Sequence, residues 1–119
     1  MTFRAVRDYC NSKAYCEEDF PFDEETICFK VGGKIFAISN IGSDSHTVNL
    51  KCDPERALEL REKYHSVTPG YHMNKKHWNT VDFSNGELTA AIFFSLVDHS
   101  YDLVFQSLPR KIREDIKNG

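Results

Sequence analysis

No apolar run in this chain extends beyond the five residues from Ala90 to Phe94, far short of the roughly 20 that cross a bilayer as a helix. The opening MTFRAVRDY holds no apolar stretch of the kind a secretory leader carries. A basic excess is missing too: 15 lysines and arginines stand against 18 carboxylates, for a formal net charge of −3. That balance excludes a generic nucleic-acid coat, which shows surplus positive charge. The four cysteines, Cys10, Cys16, Cys28 and Cys52, form no CxxC pair. Without an export signal the expectation is reduced thiols in a cytoplasmic protein with no membrane association. Cys28 or Cys52 as a nucleophile would need a base beside it, and the sequence assigns none. No repeat, low-complexity tract or Ser/Gly linker interrupts the 119 residues, which fit a single domain over 1–119.

What is present suits a folded core, with 40% hydrophobic residues, enough to bury one apolar interior. Charge is unevenly spread. Residues 14–30 carry six carboxylates against Lys30 alone, whereas residues 110–119 carry four basic side chains against two acidic ones.

Thr2 can cap a first helix that places Phe3, Val6 and Cys10 on one face and fades near Ser12. The acidic stretch EEDFPFDEE, with Pro21, breaks that pattern. TICFKVGGKIFAIS reads as a β-hairpin, because Gly32-Gly33 supplies the positive φ angles of a two-residue turn. A regular ladder from that turn pairs Val31 with Lys34, Phe29 with Phe36 and Ile27 with Ile38, leaving Cys28 and Lys30 on the other face. TVNLKC alternates as a third strand with Val48, Leu50 and Cys52 inward. Asp53 and Pro54 open a second helix as N-cap and first residue, with Ala57, Leu60 and Tyr64 facing in. WNTVDF adds a strand. Ser84 and Glu87 form a capping-box pattern before a helix bearing Leu88, Ala91, Ile92 and Leu96. A helix restarts at Ser100 with Tyr101, Val104, Phe105 and Leu108, and Pro109 separates it from a short basic tail helix carrying Ile112 and Ile116. This order predicts an α+β protein with a mostly antiparallel sheet flanked by helices.

The most unusual segment is TPGYHMNKKHWNTV, residues 68–81. As a binding element, Lys75 and Lys76 neutralise phosphates, and His72 and His77 donate hydrogen bonds. Tyr71 and Trp78 stack on bases, and Asn74 presents the donor and acceptor that read an adenine edge. As a structural element, Pro69-Gly70 sits at the centre of a type II turn, Asn74 satisfies local backbone groups, and Trp78 seals one end of the core. A metal reading needs His72 and His77 to converge, and a spacing of five matches no usual zinc pattern. No metal ligands or cofactors are assigned.

PGYHMNKKHWNTV, with SYDLV at 100–104 and LPRK at 108–111, resembles the MmcQ/YjbR family over Phe3 to about Ile116. The resemblance implies a CyaY-like (frataxin-like) fold and DNA binding through a double wing of hairpin loops, with no catalytic residues. The wings would be the turns at Gly32-Gly33 and at Ile41 to His46. Lys30 and Lys34 flank the first; the second offers His46 but also Asp44, and no lysine or arginine. The expected function is therefore non-catalytic DNA binding by a monomer, through Lys30, Lys34, His46, Tyr71, His72, Asn74, Lys75, Lys76 and His77. Two alternatives stand beside it. One is a protein-interaction adaptor. The other, by analogy with the acidic iron-holding surface of frataxin-like proteins, is a hard-metal binder at Glu17, Glu18, Asp19, Asp23, Glu24 and Glu25.

Overall fold

The computed structural model describes residues 1–42 and 46–119. Its elements run α1 (Phe3–Asn11), β1 (Glu17–Asp19), β2 (Thr26–Val31), β3 (Lys34–Asn40), β4 (Thr47–Lys51), α2 (Pro54–Lys63), β5 (Val67–Pro69), β6 (Trp78–Asp82), α3 (Ala90–Gln106) and α4 (Arg110–Asn118). The six strands form one antiparallel sheet in the order β1-β2-β3-β4-β6-β5. The α+β class and antiparallel sheet are as the sequence predicts, and the sheet gains two short edge strands that alternation could not reveal in three residues each. No helix among the described residues is long and apolar enough to cross a membrane.

Local chemistry sets most boundaries. Thr2 accepts a hydrogen bond from Ala5 N, and Asp53 from Arg56 N ahead of Pro54, so both helices start where an N-cap side chain meets an orphan donor. One sheet face is covered by helices. Val6 and Cys10 of α1, Phe93, Val97 and Val104 of α3, and Ala57 of α2 are buried with Ile27, Phe29, Val31, Phe36, Val48, Leu50 and Val81 of the sheet. Each fully buried aliphatic or aromatic side chain contributes about 1.5–3 kcal/mol.

The β2–β3 hairpin departs from a regular ladder. Gly32 and Gly33 take φ 58° and 82°, and Val31 pairs with Lys34 as expected. Beyond Lys30↔Ile35 the register slips by one: Phe29 faces Ala37, Cys28 faces Ile38 and Ile27 faces Ser39. Phe36 is the extra residue of a β-bulge, so Phe36 and Ala37 are both fully buried, while Ile38 turns to the opposite face. The cause is tertiary. The Ser100 hydroxyl of α3 donates to the Phe36 carbonyl at 2.5 Å and accepts from Lys51 N at 2.8 Å.

The last third also differs from its sequence pattern. Glu87 does not cap a helix; its carboxylate accepts from Ser66 N and His65 N at 2.7 and 3.2 Å, and bends residues 83–88 back over β5. The helix starts instead after Thr89, whose hydroxyl accepts from Ile92 N, and runs unbroken through Ser100 to Gln106. Its inward face is therefore Phe93, Leu96, Val97, Ser100 and Tyr101, with Ala91 exposed.

The acidic stretch is bound into this framework rather than left bare. Glu18 accepts from Arg7 Nε and Nη2 at 2.6 and 2.7 Å and from Asn11 at 2.7 Å, fastening β1 to α1. These bonds hold its carboxyl below the usual carboxylate range, with burial acting in the opposite direction. A depressed carboxylate contributes stability that is complete above its unfolded pKa of about 4.3 and is lost as pH falls through its lower folded value. The melting temperature is thus expected to decline below about pH 4. The Glu18→Gln variant should start lower and decline less steeply, and parallel curves for the two proteins would remove this pair as a source of acid sensitivity.

Candidate functional site

The side of the sheet away from the helices is open and hollowed. Ile35, Ile38, Asn40, Thr47, Asn49 and Trp78 floor a recess of about 650 Å³. Tyr71, His72 and Met73 form one wall and Phe22 the other. Tyr71 and Phe22 are 69% and 68% exposed, so two aromatic rings stand largely open to solvent at the rim. The register slip at Phe36 is what brings Ile38 to the same face as Ile35.

The wall at 71–73 belongs to the loop joining β5 and β6, and backbone geometry explains its shape. Gly70 N donates to Trp78 O at 2.9 Å, and Met73 N donates to Gly70 O at 3.3 Å. The tight turn therefore has Tyr71 and His72 at its centre, with His72 at φ 58°, and not Pro69-Gly70. Pro69 ends β5. Gly70 is required for close approach: a Cβ there would lie 2.9 Å from the Trp78 Cβ and 3.0 Å from that of Met73. Asn74 closes the second half of the loop, its Oδ1 accepting from Lys76 N at 2.9 Å and its carbonyl from Trp78 N at 3.0 Å.

From α2, the Arg61 guanidinium reaches under the loop. Nε donates to Asn79 Oδ1 at 2.7 Å, and Nη2 donates to the Lys75 carbonyl and to the Trp78 carbonyl at 3.2 Å. No sequence pattern links Arg61 to residues 14 to 18 positions away, yet it holds the loop and the first residues of β6 in place.

The residues singled out by sequence divide between two ends of the sheet. In an antiparallel meander the β2–β3 and β3–β4 turns lie at opposite ends, separated by the length of β3, roughly 20 Å for its seven residues. The Gly32-Gly33 turn and the end of β3 at Asn40 thus lie at opposite ends of the sheet, and the second wing falls largely on residues that are not described. Residues 43–45, including Asp44, lie outside the described residues. His46 adjoins the far end, its carbonyl accepting from Phe83 N at 3.0 Å.

At the near end lie Lys30, Lys34, Lys51 and the 70–77 loop, because Lys51 pairs with Trp78 and Lys30 with Ile35. Their availability differs. Lys30 Nζ is ion-paired to Asp19 at 2.6 Å. Lys34 turns to the helix side, 3.4 Å from the Ser107 carbonyl at the end of α3. The Gly32 backbone behind it lies so close to Leu108 that a Cβ would sit 2.7 Å from its Cδ1, while Gly33 at the tip stays open to solvent. Lys75 Nζ donates to the Gly70 carbonyl at 3.0 Å, keeping its charge at the rim. Among the described residues no carboxylate pairs with Lys51 or Lys76. His72 stands against Tyr71 with ring centroids 4.0 Å apart. His77 accepts from Cys52 N through its carbonyl at 2.8 Å and is half-buried. Asn74 has its carbonyl oxygen committed to Lys76 N, so it cannot present both halves of an adenine-reading pair.

The acidic segment does not converge. Glu18 faces α1, Asp19 faces Lys30 on the opposite side of β1, and Asp23 closes its own turn by accepting from Glu25 N and Thr26 N at 2.8 and 2.7 Å. No group of three or more metal-ligating side chains occurs among the described residues.

A sequence model of the family described as YjbR matches residues 11–103. The chain is 37% identical over 105 residues to the uncharacterized protein YbdF of Escherichia coli O157:H7, covering 88% of this chain and 85% of that one. It is 33% identical over 114 residues to the uncharacterized protein YjbR of Escherichia coli strain K12, covering 96% of each. Among solved structures, the Deinococcus radiodurans protein DR2400, described as a DUF419 domain, superposes with a TM-score of 0.90 at 38% identity, over 98% of this chain and 88% of that one. A protein from Pseudomonas syringae superposes with a TM-score of 0.74 at 30% identity, over 87% and 99%.

Proposed function

This chain belongs to the YjbR family, and from that premise we propose that it is a non-catalytic domain that binds single-stranded nucleic acid, DNA in the first instance, across its open sheet face. One observation carries the reading: an uncovered aromatic hollow and a group of lysines meet at the same end of the sheet. Trp78 and Tyr71 offer π-faces on which unpaired bases stack, a contact worth about 1–3 kcal/mol per base and tolerant of sequence. Lys51, opposite Trp78, and Lys75, bonded to the Gly70 carbonyl, lie beside that hollow, and Lys76 follows in the same loop; a backbone running past stacked bases would place its phosphates there. A recess suits splayed bases better than the convex outside of a duplex, which favours a single strand as the ligand.

The thiols offer no activated nucleophile. Burial pushes Cys10 up to about 12 and Cys16 up to about 11, and raises Cys28 and Cys52, so each is held as the unreactive thiol.

Trp78 is the sole tryptophan and floors the hollow, so its emission reports occupancy directly. Oligothymidylate titrated at several salt concentrations is expected to change that emission, with affinity falling as salt rises. In the double variant Lys51→Ala/Lys76→Ala the slope of log K against log salt should become shallower by roughly 1.4, the loss of two phosphate contacts at about 0.7 each. Equal slopes and equal affinities in the two proteins would overturn this assignment of the phosphate contacts.

A further inference from the structure

The polar groups in the floor of the hollow are not neutral in what they offer. Tyr71 N donates to Thr80 Oγ1 at 2.9 Å, which commits that oxygen as an acceptor; the Thr80 hydroxyl then donates to Asn49 Oδ1 at 2.5 Å. The Asn49 amide is thereby fixed with its carbonyl oxygen spent and its NH2 group left to the recess. Asn40 is fixed the same way, its Oδ1 accepting from Gly42 N at 2.6 Å. The Thr26 hydroxyl is likewise turned away, donating to Asp23 Oδ2 at 3.1 Å. Asn49 pairs with Ile38 across β3 and β4, so Asn40 lies diagonal to it on the same face, about 7–8 Å away at Cα. With their oxygens bonded, two amide groups keep their NH2 groups for a recess otherwise lined mainly by apolar and aromatic side chains, with Thr47 and His72 among the other polar groups.

We infer that the hollow selects bases with an exocyclic carbonyl oxygen, uracil, thymine and the 6-oxopurines, over those with an exocyclic amine at the same position. This rests on the nucleic-acid reading above and adds a base preference to it. A carbonyl oxygen accepts from the Asn49 and Asn40 amides. An exocyclic NH2 meets them donor to donor, and one set of polar hydrogens is left without a partner in a largely apolar site. Discrimination by a single well-placed hydrogen-bonding pair is about tenfold or more.

The cleanest probe is a pair of nucleotides of one shape. Inosine 5′-monophosphate and adenosine 5′-monophosphate differ only in the six-position oxygen or amine and the ring proton that accompanies it. Each is titrated into the protein while the side-chain amide resonances of Asn49 and the indole resonance of Trp78 are followed, beside oligothymidylate as a second ligand. The inference expects inosine monophosphate to bind about tenfold more tightly, with the Asn49 amide protons moving downfield as they bond to a carbonyl. In Asn49→Asp, which places an acceptor where the NH2 stood and keeps the bond from Thr80, that preference should vanish or reverse towards adenosine monophosphate while the melting temperature stays close to the parent's. Binding of oligothymidylate together with equal binding of the two purines would overturn the base preference and leave the nucleic-acid reading standing. No response at Trp78 or Asn49 to any of the three ligands would overturn both.

Discussion

Replacing Ser100 with alanine is expected to cost about 3 kcal/mol of stability, although the change removes one oxygen atom and lies far from the open face. The Phe36 bulge ends the regular pairing of β3 with β4 at Ala37↔Leu50, so Lys51 N has no residue of β3 directly opposite it. The Ser100 hydroxyl stands in the gap, accepting from Lys51 N and donating to Phe36 O, with the residue fully buried. Alanine leaves one donor and one acceptor facing each other across a space neither can close, each worth about 1–3 kcal/mol when buried and unmade. For a domain of this size the melting temperature should fall by roughly 10–15 °C. Hydrogen exchange at Lys51 and Leu50 should quicken ahead of exchange at Val48, deeper in the strand. A loss below about 1 kcal/mol would mean the strands close up without the hydroxyl, and Ser100 would then not be the reason for the bulge.

That residue also shows where reading the sequence stops. The hairpin was legible because Gly32-Gly33 encodes its turn locally, and the helix starts at Thr2 and Asp53 were legible because a cap and its first turn are neighbours. The slip in register was not, since its cause comes from a serine 64 positions beyond Phe36. Ser84 and Glu87 match a capping box in letters, but Glu87 is taken by the backbone of Ser66, 21 residues back, and Thr89 supplies the cap instead. The same division runs through the candidate site. Tyr71, His72, Lys75 and Lys76 are close in sequence and conspicuous, and they ride on one loop, whose Tyr71 and His72 line the hollow. Asn49 and Lys51 were read only as the wet side of a strand; cross-strand pairing with Thr80 and Trp78 is what makes them part of a floor. A regular ladder puts Ile38 on the face of Phe29 and Phe36, and the bulge turns it to the other. Lys30, Lys34 and His46 were placed by their turns, and what they touch or where their turn lies separates them from that rim.

Arg61→Ala should unfasten the β5–β6 loop, with a loss of about 2 kcal/mol in urea unfolding and a red shift of Trp78 emission. The guanidinium serves three acceptors at once: the Asn79 side chain and the carbonyls of Lys75 and Trp78. Asn79 is only 2% exposed and its Nδ2 already has no partner, so removing Arg61 leaves that amide without a bond at either end. The two carbonyls sit nearer solvent and can take water, which is why the cost stays below the sum of three charged hydrogen bonds. Arg61→Lys should behave much like the alanine variant, because a single ammonium cannot span acceptors that a planar fork reaches from two nitrogens. The functional consequence follows from order. Tyr71, His72, Lys75 and Lys76 all ride on the segment that Arg61 holds, so a loosened loop must be reordered by ligand at a cost of about 0.5–1.5 kcal/mol for each side chain immobilised. Oligothymidylate affinity is expected to fall at least tenfold, with backbone amides 71–77 exchanging faster while those of β2 and β3 keep their protection. If stability falls but amides 71–77 exchange at the parent's rate, Arg61 supports Asn79 and the core alone, and the loop holds its shape through Gly70 and Asn74.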